Sequence, residues 1–228
     1  MTSLEVFIRQ LAGAARSMAG KSSTQEMLDE AVLVAVDIIP GCDLAGMSIV
    51  NPHGIDTPAG SGEALKRLDA LQFELQEGPC FDALRMHVVV VSRDLATDER
   101  WPTWGPRVAE EIGVHSIVSY RLFSGENSLG VMNLYSRTTD AFDAEDIENG
   151  GALAAHVAVA LAEVQNVKQL ETAIDTRTTI GQAEGILMER FDLQPAQAFD
   201  VLRRISQARN VKLNRVAEEL VRTRVTPT

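Results

Sequence analysis

From Asp143 to about Arg190 the chain has no proline and few strong helix breakers, and this stretch constrains the fold more than any other. One long helix is the reading that satisfies its backbone. Within it runs an apolar seam at Leu153, Val157, Ala160, Val164, Val167 and Ile174. The spacings are 4, 3, 4 and 3, then one full heptad, with Glu171 at the skipped position. That repeat, about three heptads long, predicts a coiled coil and with it a homodimer. The same spacing is also that of one helix face packed on its own domain. A charge at Glu171 is costly inside a seam and would weaken or register the pairing there.

What precedes the stretch mixes helices with short strands. Helices are predicted over Leu4–Met18 and from Ser23 or Thr24 to Ile39, where Pro40-Gly41 ends the second. A strand follows at Leu44–Val50, then a turn at Asn51-Pro52 and a loop over Gly54–Gly62. A helix is expected at Ala64–Phe73, a break at Glu77-Gly78-Pro79-Cys80, and a short helix through Arg85. The run Val88–Val91 reads as a buried strand, and Trp101–Ile112 as a helix. Ser116–Phe123 and Leu129–Tyr135 flank Gly125-Glu126-Asn127 as a hairpin. Such a mixture needs one sheet with helices packed on it. After the long helix, two short amphipathic helices follow, the first opening at Pro195. The fold class is therefore α+β. Its expected parts are a mixed or antiparallel sheet domain with N-terminal helices at 1–142, a helical connector at 143–171 and a small three-helix domain at 172–224.

Bulk properties narrow the function. The net charge is −11, which repels phosphate backbones at long range and argues against indiscriminate nucleic-acid binding. The charge is uneven. From Gln165 onward ten basic residues face eight acidic ones, a balance of +2 that leaves −13 for everything before. Two cysteines, Cys42 and Cys80, are too few for a disulfide framework, and the four histidines are scattered. No metal-ligand spacing, phosphate loop or nucleophile–base pattern is present, so no cofactor is expected and catalysis is disfavoured. Glu5, Arg9 and Gln10 interrupt what would be a signal peptide, and no apolar run of about twenty residues would span a membrane. A cytoplasmic location is expected.

The sharpest local signal is Arg177-Thr178-Thr179-Ile180-Gly181-Gln182-Ala183-Glu184-Gly185-Ile186-Leu187-Met188. Two glycines four apart sit inside a helical run, each costing roughly 1 kcal/mol relative to alanine. Gly181 and Gly185 share a face with Arg177 and Thr178, while Ile180, Ala183 and Leu187 form the opposite, core-directed stripe. A face built this way accepts a flat nucleobase against the backbone, with a guanidinium on phosphate or stacked on a base. Tight helix–helix packing through small residues is the competing explanation.

These residues, followed by Ala198-Phe199, Leu202-Arg203, Lys212-Leu213 and Val216-Ala217, resemble an ANTAR domain over about Thr172 to Val221. The resemblance implies a dimeric RNA-binding domain of bacterial transcription antitermination that takes paired stem-loops with six-nucleotide loops. By position it implies RNA contacts at Arg177, Thr178, Gly181, Gln182 and Gly185, and at Lys212, Asn214 and Arg215 on the third helix. Lys212 and Arg215 would hold phosphates, while Gln182 and Asn214 would read base edges. A solvated helix face is the bland alternative for Lys212 and Arg215. Gln194 stands where the family often has Ser or Thr, at the expense of a helix cap.

Residues from about Thr24 to Arg137 resemble a GAF domain. The resemblance is carried by Glu77-Gly78-Pro79-Cys80, by Asp94-Leu95 through Arg100-Trp101-Pro102, and by Ser116 to Leu122 followed by Leu129 to Tyr135. It implies a small-molecule or redox sensor with a pocket on one sheet face, its ligand unknown; the patterns for cyclic nucleotide, haem and bilin are missing. Cys80, at a helix start, is the one candidate reactive thiol, against the alternative of a small buried hydrophobe. Trp101 and Trp104 line either a pocket or the core. The leading expectation is a signal-responsive antiterminator in which the connector sets the spacing of two RNA-binding domains. The alternatives are a dimeric helix-turn-helix-like DNA-binding factor with a sensor domain, and a thiol-based GAF enzyme.

Overall fold

The computed structural model describes residues 2–51, 54–86 and 89–226. In chain order the elements are α1 (Ser3–Ala19), α2 (Thr24–Ile38), β1 (Leu44–Asn51), β2 (Gly54–Gly60), α3 (Glu63–Leu75), α4 (Pro79–Met86), β3 (Val90–Ser92), α5 (Trp104–Ile112), β4 (Ser116–Ser124), β5 (Asn127–Ser136), α6 (Ala144–Phe191), α7 (Pro195–Arg209) and α8 (Leu213–Thr223). They form two compact units, which divide between Gln165 and Asn166.

In the first unit five strands make one antiparallel sheet in the order β2-β1-β5-β4-β3. Strand alternation sorts the side chains to two faces. Ala45, Met47, Val118, Tyr120, Leu122, Met132 and Leu134 pack with α1, α2 and the first part of α6. Leu44, Ile117, Val131 and Tyr135 pack with α3, α4 and α5. Thr2 and Ser23 cap α1 and α2, each accepting a backbone N–H three residues on, Ser23 as one of the two positions the sequence offered for α2. Tyr120 donates its hydroxyl to the Ile147 carbonyl at 2.9 Å and so pins the start of α6 to β4.

Some boundaries differ from expectation. The stretch expected to be a loop from Gly54 is strand β2, paired with β1 through Gly46↔Gly60 to Asn51↔Gly54 with an irregularity after Met47. Its Gly, Asp, Pro and Ala residues have poor strand propensity, but an edge position against β1 overrides that. Pro52 of the predicted turn and Val88 of the predicted strand lie outside the described residues. Helix α5 begins at Trp104 rather than Trp101. The hairpin turn contracts to Gly125 and Glu126, with φ of 58° at Gly125.

In the second unit, the C-terminal part of α6 packs with α7 and α8 around Ala183, Leu187, Ala198, Leu202, Val216, Ala217 and Leu220. Pro195 occupies the first turn of α7, and Gln197 accepts the Gln194 N–H at 2.9 Å, which supplies one arm of a cap despite the missing Ser or Thr.

Candidate nucleic-acid interface

At about 100° per residue, Arg177, Gly181 and Gly185 fall within an arc of about 80° on α6, and Thr178 and Gln182 widen it to about 140°. All five are exposed. Ala183 and Leu187, on the other side, are fully buried in the three-helix core, with Ile180 packed against it. A Cβ added at Gly181 or Gly185 would meet nothing within 4 Å. Packing inside the chain therefore does not require either glycine. The two leave a stretch of bare helix backbone facing outward, beside a guanidinium.

The second predicted group sits elsewhere. Lys212 is the N-cap residue of α8, with Asn214 and Arg215 in its first turn. Arg215 Nη1 lies 3.0 Å from Glu218 Oε2, an exposed i,i+3 ion pair that a phosphate would have to displace. The opposite end of α8 is the one that adjoins the glycine face. Val221 and Arg224 line a groove of about 620 Å³ with Gln182, Gly185, Ile186 and Arg190. With a rise of about 1.5 Å per residue, Arg215 lies about 9 Å and Lys212 about 13 Å along the helix from Val221 of that groove. Sequence reasoning missed Arg190 and Arg224. Arg190 lies two turns beyond Gln182, a spacing visible on a helix plot, but Arg224 approaches only through the packing of α8.

The seam residues divide. Leu153, Val157 and Ala160 are buried in the core of the first unit, and Val164 packs against that core. Val167 and Ile174 are 50% and 65% exposed, and Leu170 between them is also 65% exposed. Glu171 is exposed.

Behind the first unit's sheet, the face toward α3 and α4 carries a buried polar layer. Asn133 Nδ2 donates to Cys80 Sγ at 3.0 Å, and Asn133 Oδ1 accepts from Ser119 Oγ at 2.6 Å. Gln72 Oε1 accepts the Cys80 N–H at 3.2 Å while its Nε2 donates to Asp69 at 3.3 Å. Burial pushes the Cys80 thiol up, against the lowering by its Ser48 hydrogen bond. A helix start does not offset full desolvation here, so Cys80 is a neutral thiol held in a hydrogen-bond network. Burial also raises Asp69 to about 6, opposed by hydrogen bonds from Thr57 and Gln72. Asp69 forms part of the lining of a cleft of about 390 Å³ between β2 and α3. Trp101 and Trp104 are core residues, edge to face with centroids 5.6 Å apart. Their indole N–H groups donate to Asp82 and to the Leu68 carbonyl. Among the described residues no group of three or more His, Cys, Asp or Glu side chains has the placement to hold a metal ion. No described helix is long and apolar enough to cross a membrane.

A layered α+β domain with a polar interior beside its sheet, and a separate helical domain with a bare backbone face, define a sensor-linked regulator. Residues 21–162 match the GAF domain family and residues 168–221 match the ANTAR domain. The chain belongs to the GAF family and carries an ANTAR domain, which makes it a GAF–ANTAR regulator. GAF domains are sensor modules, and ANTAR is an RNA-binding antitermination domain. The fold is shared with solved GAF structures at low identity. The GAF domain of a phosphoenolpyruvate-protein phosphotransferase from Coxiella burnetii is 16% identical with a TM-score of 0.61, covering 74% of this chain and 99% of its own. The corresponding domain from Acinetobacter is 13% identical with a TM-score of 0.57, covering 72% and 98%. Free methionine-R-sulfoxide reductase from Neisseria meningitidis is 16% identical with a TM-score of 0.55, covering 73% and 95%. No match was found among curated proteins.

Proposed function

We propose that this chain is a cytoplasmic, non-enzymatic regulator that binds paired hexaloop stem-loops as a homodimer and promotes transcription antitermination in response to a signal at its GAF domain. The observation that carries the RNA reading is the outward glycine face of α6, where Arg177, Thr178, Gly181, Gln182 and Gly185 are all exposed and nothing among the described residues covers the glycines. A helix gives up stability to keep two such glycines, and a stacked base approaching the backbone accounts for that sacrifice. The functional parts are the sensor at 1–142, the connector at 143–171 and the RNA-binding domain at 172–224. Pairing of two chains falls to the exposed Val167, Leu170 and Ile174, since Leu153, Val157 and Ala160 are occupied within one chain.

Two features favour a non-catalytic reading over a thiol-based GAF enzyme. Cys42 and Cys80 belong to different cores, on opposite faces of the sheet. Burial raises both thiols, Cys42 to about 12. The DNA-binding alternative is less favoured because the first helix of the domain presents glycines outward in place of a dense basic face. The deciding experiment titrates the full chain with a two-hexaloop RNA, a single-loop RNA and a matched duplex DNA over a range of salt. Selective binding to the two-loop RNA, weakened by Gln182→Ala, is expected. Equal, salt-sensitive binding to all three would leave only generic charge contacts.

A further inference from the structure

The groove between α6 and α8 has a composition that the positions expected for RNA contact do not explain. Its floor is Gly185, where a Cβ would meet open space. Ile186 and Val221, both half-buried, add apolar wall. Gln182 and Glu189 place an amide and a carboxylate at the rim. Two cations complete it. The guanidinium of Arg190 is oriented from below, with Nη2 donating to the Arg224 carbonyl at 2.8 Å and Nη1 to Thr226 Oγ1 at 3.4 Å. Arg224 itself ends α8 in the left-handed conformation, φ 58°, which turns the chain back toward α6.

Among the described residues neither cation has a carboxylate partner, in contrast to Arg203, Arg209 and Arg215; Arg177, Arg204 and Arg222 also have none, but of these arginines only Arg190 and Arg224 line the groove. Two guanidinium groups that converge on one groove of an acidic chain suit an anionic ligand there.

We infer that this groove seats one nucleotide of an RNA loop, with Arg190 and Arg224 on its phosphates and its base, one that carries an exocyclic amino group, lying over Gly185. The inference rests on the reading of the domain as RNA-binding and names the residues that read the loop. The base preference follows from the rim. A carboxylate only accepts hydrogen bonds, so Glu189 is matched by the exocyclic amino group of adenine, cytosine or guanine and matched less well by uracil, whose one donor, N3–H, is flanked by two carbonyl oxygens that face the carboxylate. Gln182 both donates and accepts and completes a pair of contacts to the same edge. The half-buried Ile186 and Val221 provide apolar surface against the ring, as stacked loop bases require.

The test is fluorescence anisotropy of the full chain with a stem-loop RNA whose loop bases are replaced one at a time by uridine. One loop position should lose about tenfold or more in affinity on replacement. Glu189→Ala should remove that penalty at that position and leave the others unchanged. Arg190→Gln combined with Arg224→Gln should reduce the slope of log Kd against log salt by about one for each cation removed. Gly185→Ala guards against a folding artefact. It should raise the unfolding temperature, as alanine does in a helix, while weakening RNA binding. If the wild-type chain binds the stem-loop but Glu189→Ala keeps the uridine penalty, or the double arginine variant keeps the wild-type salt slope, the seat is wrong and the RNA reading stands. If no loop position is sensitive to uridine, the seat is likewise overturned. If the wild-type chain binds no stem-loop, the RNA reading falls and the seat falls with it.

Discussion

Single residues explain why the Glu77-Gly78-Pro79-Cys80 motif reads as it does. Glu77 accepts the N–H groups of Thr103 and Trp104, at 3.0 and 2.9 Å, and so caps α5 from a distance in sequence. Gly78 has φ 132°, and a Cβ there would fall 2.3 Å from Gln72 Oε1, the atom that holds the Cys80 N–H. Replacing Gly78 by alanine is therefore expected to lower the unfolding temperature through both strain and a broken hydrogen bond. Asp69 supplies a pH prediction with a definite sign. Its folded pKa of about 6 exceeds the unfolded value near 3.8. The native state thus binds the extra proton between those values, and stability falls as pH rises through that window. Asp69→Asn should be more stable than wild type at pH 7, by up to about 3 kcal/mol for a shift of this size. The difference should disappear below about pH 4. Urea denaturation at the two pH values reads it directly, and an equal difference at both would remove the buried carboxylate from the account. Cys80 and Cys42 should stay inert to a thiol reagent until the chain is unfolded, because burial keeps both protonated.

At the scale of elements, α6 carries two jobs that share one periodicity. Its first turns insert Leu153, Val157 and Leu161 into the first core, and its later turns present Val167, Leu170 and Ile174 to solvent. A helix packed on its own sheet and a helix packed on a partner have the same apolar spacing, so the sequence could not divide the seam. Ile174→Glu probes pairing without touching the first core, whereas Val164→Glu would disturb both. The expected result is a monomer by analytical ultracentrifugation, an unchanged near-UV spectrum from Trp101 and Trp104, and two-loop RNA binding reduced to the single-loop value. A loss of about 100-fold or more is the size that linked sites contribute. A variant that stays dimeric would place the pairing surface elsewhere. Strand β2 escaped sequence reasoning for a related reason. Its propensity is poor, and only the register with β1, beginning at Gly46↔Gly60, makes it a strand.

The whole molecule is two compact units of unequal size on one chain. The second has a core of seven fully buried residues, while the first has two cores on either side of a sheet. A core that small is marginal by surface-to-volume scaling. Calorimetry should therefore show two transitions, the lower one from the helical unit. Bound stem-loop RNA should raise that lower transition selectively, by mass action on the folded form. A single transition that shifts as a whole with RNA would mean the units unfold as one.

Local patterning determined most of the elements. Apolar period, the cap at Ser23, Pro195 and the glycine turns act over a few residues and are legible in order. The outward glycine face of α6 was legible too, because helical geometry alone sets Gly181 and Gly185 opposite Ala183 and Leu187. Tertiary structure decided what no local rule contains. It made an edge strand of Gly54–Gly60 and divided the long helix between a buried and an exposed stretch. It raised Cys80 and Asp69 by burial and brought Arg224 to Gln182 and Gly185 across 38 intervening residues and more. Burial and long-range approach depend on which surfaces meet, and a one-dimensional pattern specifies only which surfaces are available to meet.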